Sequence, residues 1–110
     1  MADDPSVDHI NRKLRCLLHC AFHRRTIQLT CPRCKRVRRF DAVALWWFFE
    51  RRHEDDAVPA VFRRFYCSVC KRAGAKVRPH YEITTEPPDA DQPPYPDERE
   101  WKRQISRYRS

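Results

Sequence analysis

Glycine is nearly absent from this chain of 110 residues, which has a single one, Gly74. A glycine-rich loop that cradles phosphate therefore cannot be built, and the nucleotide-binding enzymes that depend on such a loop are excluded. The sequence also lacks a recognisable pairing of a nucleophile with a base. We predict that the protein is not an enzyme.

Long hydrophobic runs are missing as well. The run AVALWWFF at residues 42–49 is far too short to cross a bilayer, and no basic start is followed by an apolar stretch, as it is in a signal peptide. We therefore expect a cytoplasmic protein with no membrane partner. Disulfides are disfavoured in that compartment, so the six cysteines favour metal binding.

Acidic residues are absent from residues 9–40, which contain ten lysines or arginines. Residues 81–98 have the opposite bias, with six acids and no base, and the whole chain has a net charge of +8. This polarity favours an anionic partner for the folded part, and nucleic acid is the commonest such partner. A basic surface that only keeps the protein soluble is the alternative.

What the sequence does contain is a repeated metal-binding motif. C-x-x-C occurs as CPRC at Cys31 and Cys34 and as CSVC at Cys67 and Cys70. Two such knuckles complete a tetrahedral shell of four thiolates, and we predict one structural Zn²⁺ there. A closed shell leaves no coordination position for a reactive water. The alternatives are unrelated core cysteines or redox-active thiols, although a thioredoxin-type motif needs a βαβ context and a single pair.

Sequences typical of β-strands flank each knuckle. TIQLT at residues 26–30 alternates polar and apolar residues before the first knuckle, and KRVRRF at residues 35–40 returns from it. FRRFY at residues 62–66 leads into the second knuckle, and AKVRP at residues 75–79 leaves it. Two β-hairpins that face each other across one zinc ion would make a zinc ribbon. The predicted fold class is thus a small α+β metal-stapled domain.

Residues 27–80 resemble the zinc-ribbon superfamily through the motifs CPRCKRVRRFDAVAL and FRRFYCSVCKRAGAKVRP. More narrowly, they are similar to short bacterial zinc-ribbon proteins with a helical insert between the knuckles, whose functions are mostly unassigned. The resemblance implies that the four motif cysteines are zinc ligands and that nothing is catalytic. Such knuckles often have glycine just after the second cysteine, where the chain needs a positive φ, and Lys35 and Lys71 take those places here.

Helices are expected on both sides of the first hairpin and at the end of the chain. Asp41 can cap a helix that runs from residue 42 to 52, and Pro59 can start a short helix over residues 59–64. A longer amphipathic helix is predicted from about Asp4 to His23. Residues 97–110 are predicted to form a short basic helix that docks on the body or on another molecule.

The aromatic run makes the helix at residues 42–52 apolar nearly all round, so one face needs a second cover. The apolar stripe of the N-terminal helix is the internal candidate. Alternatively, the run is an exposed hot spot for a partner chain or a second copy, and base stacking on it would need single-stranded nucleic acid. The candidate partner-binding residues are Trp46, Trp47, Trp101, Ile105 and Tyr108.

A second group of metal-binding residue types lies on the predicted N-terminal helix. Cys16, His19, Cys20 and His23 fall at helical spacing. One straight helix cannot surround an ion with four ligands, so a partly buried helix face is favoured over a second metal site.

The predicted organisation has four parts. An N-terminal helix spans residues 1–25, and a zinc ribbon with a helical insert at residues 41–64 spans residues 26–85. An acidic, proline-rich linker at residues 86–98 has nothing to bury and is not expected to be ordered. A basic amphipathic segment, residues 99–110, ends the chain.

The expected function is binding of nucleic acid, DNA or RNA, with little sequence specificity through the basic hairpins. The alternative is a protein-interaction adaptor, for example in a transcription complex, that uses the Trp46/Trp47 helix and the C-terminal arm. The candidate phosphate contacts are Arg33, Lys35, Arg36, Arg38 and Arg39 on the first hairpin and Lys71, Arg72, Lys76 and Arg78 on the second.

Overall fold

A computed structural model describes residues 14–109 of the protein, without the side chains of the last two. Within this range the chain forms three strands and five helices. Their order is α1 (Leu17–Phe22), β1 (Thr26–Thr30), β2 (Val37–Asp41), α2 (Ala42–Arg51), α3 (Val58–Phe62), α4 (Ser68–Arg72), β3 (His80–Thr84) and α5 (Glu98–Arg109). The predicted α+β class is confirmed. None of the helices in this range has the length and apolar character needed to span a bilayer.

The sheet is antiparallel and has the strand order β2-β1-β3. The strand predicted before the first knuckle is β1, and the predicted returning strand is β2, so the first hairpin is confirmed. Ile27 and Leu29 of β1 are buried in the core, as the alternation of polar and apolar residues in this strand predicts. The first knuckle is the turn that joins these two strands.

The aromatic run forms α2, as predicted. The side chain of Asp41 accepts a hydrogen bond from the backbone N–H of Val43 at 2.9 Å, which caps the helix. Every residue from Ala42 to Trp46 is buried, and so is Phe49. Because so much of the helix surface is apolar, other elements pack against it on more than one side.

The N-terminal helix is shorter than predicted. Residues 1–13 lie outside the described range, and α1 begins only at Leu17, so the prediction is wrong for residues 14–16. The backbone of Cys16 is extended and forms an isolated bridge with Ala57. The N–H of Leu17 donates to the Asp56 carbonyl at 2.9 Å. The backbone groups at Cys16 and Leu17 thus pair with the loop before α3 and not with one another in a longer helix.

The second predicted hairpin is not formed. A helical turn, α4, occupies the second knuckle, and residues 75–79 contain no strand. Phe62 was predicted both in the strand before the knuckle and in the short helix over residues 59–64. It is the buried last residue of α3, which has Pro59 in its first turn, so the helix prediction is confirmed for residues 59–62. One hairpin-like hydrogen bond remains, from the Cys67 N–H to the Val77 carbonyl at 2.9 Å. The strand that completes the sheet is instead β3, which pairs with β1.

The acidic linker was not expected to be ordered, and this prediction is wrong, because it is attached to the body by hydrogen bonds. Residues 86–97 contain no helix or strand but hydrogen-bond along the edge of β2. The predicted helix after them is present as α5, where the Asp97 carboxylate accepts from the N–H of Glu100 at 2.7 Å. Trp101 of this helix packs on the core. An edge strand has unpaired polar groups, which a polar segment can satisfy without burying apolar surface.

Candidate metal centre and basic surface

The four motif cysteines come from two different kinds of local structure. Cys31 follows the last residue of β1, and Cys34 lies in the turn that leads to β2. Cys67 is the N-cap residue of α4 and Cys70 lies within that helix. Residues three apart on a helix project to the same side, so α4 presents both of its thiols to the first knuckle.

The sulfur atoms of Cys31, Cys34, Cys67 and Cys70 all lie within 4.8 Å of one another. Cys31 Sγ is 3.6 Å from Cys70 Sγ, and Cys34 Sγ is 3.5 Å from Cys67 Sγ. A tetrahedral ion with bonds of about 2.3 Å to sulfur would place its ligands about 3.8 Å apart. The prediction that the two knuckles form one metal-binding group is therefore confirmed, and the cluster can hold one metal ion.

The local backbone prepares these thiols for ionisation. A hydrogen bond from the backbone N–H of Cys34 lowers the pKa of Cys31 to about 6, and the N–H of Cys70 lowers the pKa of Cys67. Burial raises the pKa of Cys70 to about 12, and its hydrogen bonds with the other three thiols and the charge of Cys31 add to this cost of ionisation. A bound cation would remove that cost and draw all four into the thiolate form.

The surroundings of the cluster are closed and apolar on one side. Cys31, Cys67 and Cys70 are buried, Ala75 and Val77 pack against them, and Cys34 is exposed. If all four thiolates bind, no coordination position is left for a substrate. The chemistry this arrangement supports is the joining of two chain segments.

The second group of candidate ligands is not brought together. Within residues 14–109, the cluster of four motif cysteines is the only group with metal-binding geometry. Cys16 lies before α1 and not on it, so the four residues do not share a helix stripe. Cys20 is completely buried, and this burial raises its pKa to about 12. These observations favour the interpretation of Cys20 as a core residue.

The nine candidate phosphate contacts surround the two knuckles and are called the basic surface here. No acidic residue occurs in residues 31–40 or 66–79, which contain all nine. Nη1 of Arg36 donates to Ser68 Oγ at 2.6 Å, so the residue just before β2 touches the second knuckle. Arg38 and Arg39 are half-buried, and the exposed ones are Arg33, Lys35, Arg36, Lys71, Arg72, Lys76 and Arg78.

A cavity of about 230 Å³ opens between the two knuckles. It is lined by apolar side chains, among them Leu29, Phe40 and Phe65, and by Arg36 and Arg38. The guanidinium of Arg38 lies 4.5 Å from the centre of the Phe40 ring, which holds the charge over an apolar surface. The basic surface therefore contains a concave part in addition to flexible side chains.

The candidate partner-binding residues are mostly in the core. Trp46 is 1% exposed, and its ring centre lies 5.6 Å from that of Trp101. Trp47 and Ile105 are half-buried, and the Arg51 guanidinium lies 5.7 Å from the Trp47 ring. The side chain of Tyr108 is outside the described part of the structure.

Two contacts beside the basic residues of β2 were not predicted from the sequence. Asp89 and Gln92 bind the edge of β2, but they lie among prolines in a segment with no periodicity. The charge bias of residues 81–98 was the one available signal, and it points to no particular residue.

Comparison of this chain with protein-family models, with curated proteins and with solved structures found no match. The metal centre is therefore supported by its own geometry, which is consistent with a zinc-ribbon-like motif.

Proposed function

We propose that this protein is a non-catalytic zinc-ribbon-type protein that binds nucleic acid with little sequence specificity. The observation that carries this proposal is the position of the basic residues. Two chain segments contain nine lysines or arginines and no acidic residue. Four cysteine sulfurs within 4.8 Å of one another hold these segments side by side. One end of the molecule is thus a dense cationic surface on a stapled scaffold.

Zn²⁺ is the proposed ion, and one ion per chain is expected. An all-thiolate tetrahedral site suits zinc, and zinc in such a site is structural. All six cysteines are free thiols in the structure, so the proposal places the protein in a reducing compartment, the cytoplasm. The first knuckle matches a ribbon hairpin, and α4 replaces the hairpin at the second.

The number of lysines and arginines exceeds what the metal centre itself needs. Four thiolates around a dication have a net charge of −2, and nearby cations would stabilise it. Nine bases leave seven positive charges beyond that requirement. Such an excess suits a polyanion, and contacts to several phosphates make the affinity strongly dependent on salt.

Little base specificity is expected because no element near this surface can serve as a recognition helix. The helix α4 has only five residues and is anchored by Cys67 and Cys70. The longer helix α2 is buried along most of its length. Contacts to phosphate position a protein on nucleic acid but do not distinguish one sequence from another.

The adaptor alternative has less support. Two of its five candidate residues, Trp46 and Trp101, pack against each other in the same core. Half-buried side chains such as Trp47 and Ile105 remain for a partner chain or a second copy. If the protein shows no affinity for nucleic acid, this face is the next to test.

Charge reversal at the knuckles tests the proposal. Arg33, Lys71 and Lys76 are exposed, and changing all three to Glu should weaken binding to labelled DNA or RNA of any sequence by at least about tenfold at low salt. The plot of log affinity against log salt should also become shallower by about two to three.

A matched control makes the same change of net charge elsewhere. Arg63, Arg99 and Arg107 are also exposed, and their reversal to Glu should weaken binding much less. Equal losses in both triple variants would mean that the knuckles are not the binding surface. Wild-type protein that binds neither DNA nor RNA at low salt would refute the proposed function.

A further inference from the structure

The acidic segment, defined here as residues 86–97, is attached to β2 at one particular point. Oδ2 of Asp89 accepts a hydrogen bond from Nη1 of Arg38 at 2.9 Å and another from the backbone N–H of Arg39 at 3.0 Å. The N–H of Asp89 in turn donates to the Arg39 carbonyl at 3.1 Å. The carboxylate therefore lies where a guanidinium and a backbone N–H converge.

Neighbouring residues extend the same attachment. Gln92 Oε1 accepts from the Asp41 N–H at 2.8 Å, and Gln92 Nε2 donates to the Arg39 carbonyl at 2.9 Å. Tyr95 donates its hydroxyl to the Asp41 carboxylate at 3.2 Å, and Arg38 also donates to the Asp91 carbonyl. These bonds satisfy the edge of β2, which protects it against pairing with another chain.

Edge protection alone does not require a carboxylate on Arg38. An amide side chain satisfies the edge at Asp41, where Gln92 provides it. At Asp89 the two donors form a small anion site, and the N–H of Arg39 and the Arg38 guanidinium hold the pKa of this carboxyl below its ordinary value. A guanidinium beside a backbone N–H is also a good pair of donors for a phosphate oxygen.

We infer that the Arg38 guanidinium and the Arg39 N–H form a binding site for a backbone phosphate of nucleic acid, which Asp89 fills in the free protein. This inference rests on the proposed function. Asp89 then acts as an internal competitor that must leave before a phosphate enters. The acidic segment regulates the basic surface by this competition.

The local structure suits an exchange of one anion for another. Arg38 is held over the Phe40 ring and its side chain is only 25% exposed, so the guanidinium stays in place when its partner changes. The acidic segment has no helix or strand and connects β3 to α5. It can leave the edge without breaking an element. The apparent affinity for nucleic acid is then the affinity of the open site multiplied by the fraction of molecules in which the site is open.

Two variants with the same change of charge test this inference. Asp89→Asn removes the carboxylate from the site. Glu86→Gln is the control: it removes an exposed carboxylate of the same segment, and this carboxylate forms no salt bridge with a lysine or arginine within residues 14–109. The probes are labelled oligo(dT) and a duplex of the same length, measured by fluorescence anisotropy at low salt. Asp89→Asn should bind about three- to tenfold more tightly than wild type, and Glu86→Gln should stay within about twofold.

The salt dependence gives a second readout. In wild type the Arg38–Asp89 ion pair must break before the phosphate enters, and breaking it takes up ions from solution, which offsets part of the counterion release from the nucleic acid. Asp89→Asn has no such ion pair, so the slope should steepen by about one. A third variant, Gln92→Ala, loosens the segment without any change of charge and should also bind more tightly. Circular dichroism of each variant checks that it is folded.

The possible outcomes separate the two proposals. If Asp89→Asn and Gln92→Ala bind no more tightly than Glu86→Gln, the internal competitor is refuted and the proposed function stands. If wild type binds neither probe, nor RNA at low salt, the proposed function is refuted, and the internal competitor that rests on it is refuted as well.

Discussion

The indole ring of Trp46 packs against that of Trp101, with ring centres 5.6 Å apart and planes inclined by 59°. The contact joins α2 to α5, the helix that follows the acidic segment in the chain. Trp46 is nearly inaccessible, and the Arg24 guanidinium lies 5.8 Å from the centre of the Trp101 ring. The C-terminal helix is therefore attached to the core through Trp101 and is not a free arm.

Removal of the Trp101 side chain should destabilise the protein. We expect Trp101→Ala to lower the free energy of unfolding by about 2–4 kcal/mol, because a large ring leaves a cavity beside Trp46. Trp101→Phe should cost less, since Nε1 of Trp101 is buried without an acceptor among residues 14–109. Urea unfolding of the metal-loaded proteins measures both. A Trp101→Ala protein as stable as wild type would contradict the packing of α5 on the core.

The sequence predicted the need for this cover but only part of its source. The apolar run at α2 showed that Trp46 had to be shielded, and α1 does pack in the same core through Leu17. The contribution of Trp101 was not predictable, because a Trp at helical spacing with Ile105 fits an external partner as well as an internal one. Local periodicity defines an apolar face but does not identify what covers it.

The two knuckles place the residue after their second cysteine in different backbone conformations. Lys35 has φ +65°, in the left-handed region where glycine is preferred, and Lys71 lies inside α4. The positive φ at the second knuckle comes three residues later, at Gly74 with +88°. This position explains why the single glycine of the chain is not directly after Cys70.

The same substitution should therefore have opposite effects at the two positions. Lys35→Gly should leave stability unchanged or raise it by up to about 1 kcal/mol, because glycine adopts the left-handed conformation without the strain that a side chain causes there. Lys71→Gly should lower it by about 1 kcal/mol, because glycine is unfavourable within a helix. Thermal unfolding of the two metal-loaded variants tests the difference. Equal effects would mean that the knuckles are built alike, as two ribbon hairpins would be.

The difference between the knuckles was only partly visible in the sequence. A C-x-x-C spacing satisfies a hairpin turn and a helical turn equally well, since both bring two sulfurs to one ion. The alternation in TIQLT identified β1 correctly, because one face of that strand is buried. FRRFY has no such alternation, and Phe62 became the end of α3. The site was therefore predictable from its ligands, but the backbone around it was not.

The helix cap at Asp41 gives a further prediction. Asp41→Ala should lower the free energy of unfolding by about 1 kcal/mol, because the Val43 N–H loses its acceptor. Asp41→Asn keeps an acceptor and should cost less. Tyr95→Phe is the control for the other contact of this carboxylate, the hydroxyl of Tyr95 at 3.2 Å. If Tyr95→Phe alone reproduced the loss in Asp41→Ala, the carboxylate would matter as an anchor for the acidic segment and not as a cap.

Metal removal should act first on the second knuckle. The buried residues form two separate clusters, and Cys31, Cys67 and Cys70 belong to the smaller one, with Ala75 and Val77 against it. The main cluster contains Trp46, Ile27 and their neighbours and no metal ligand. Apart from Phe65, which packs on the main cluster, residues 65–79 retain few apolar contacts without the ion. A small metal site commonly supplies the folding energy of the segment around it.

Two cysteine variants and a chelator test this expectation. Cys70→Ser should abolish stoichiometric zinc by metal analysis, whereas Cys16→Ser, outside the cluster, should retain it. In hydrogen exchange, chelated wild-type protein and Cys70→Ser should both lose protection in residues 65–79 before α2 does, because α2 lies in the main cluster. Unchanged protection of residues 65–79 in a metal-free protein would show that the cysteines do not hold this segment. Simultaneous loss in both regions would mean that the two clusters unfold as one unit, with the ion stabilising the main core as well.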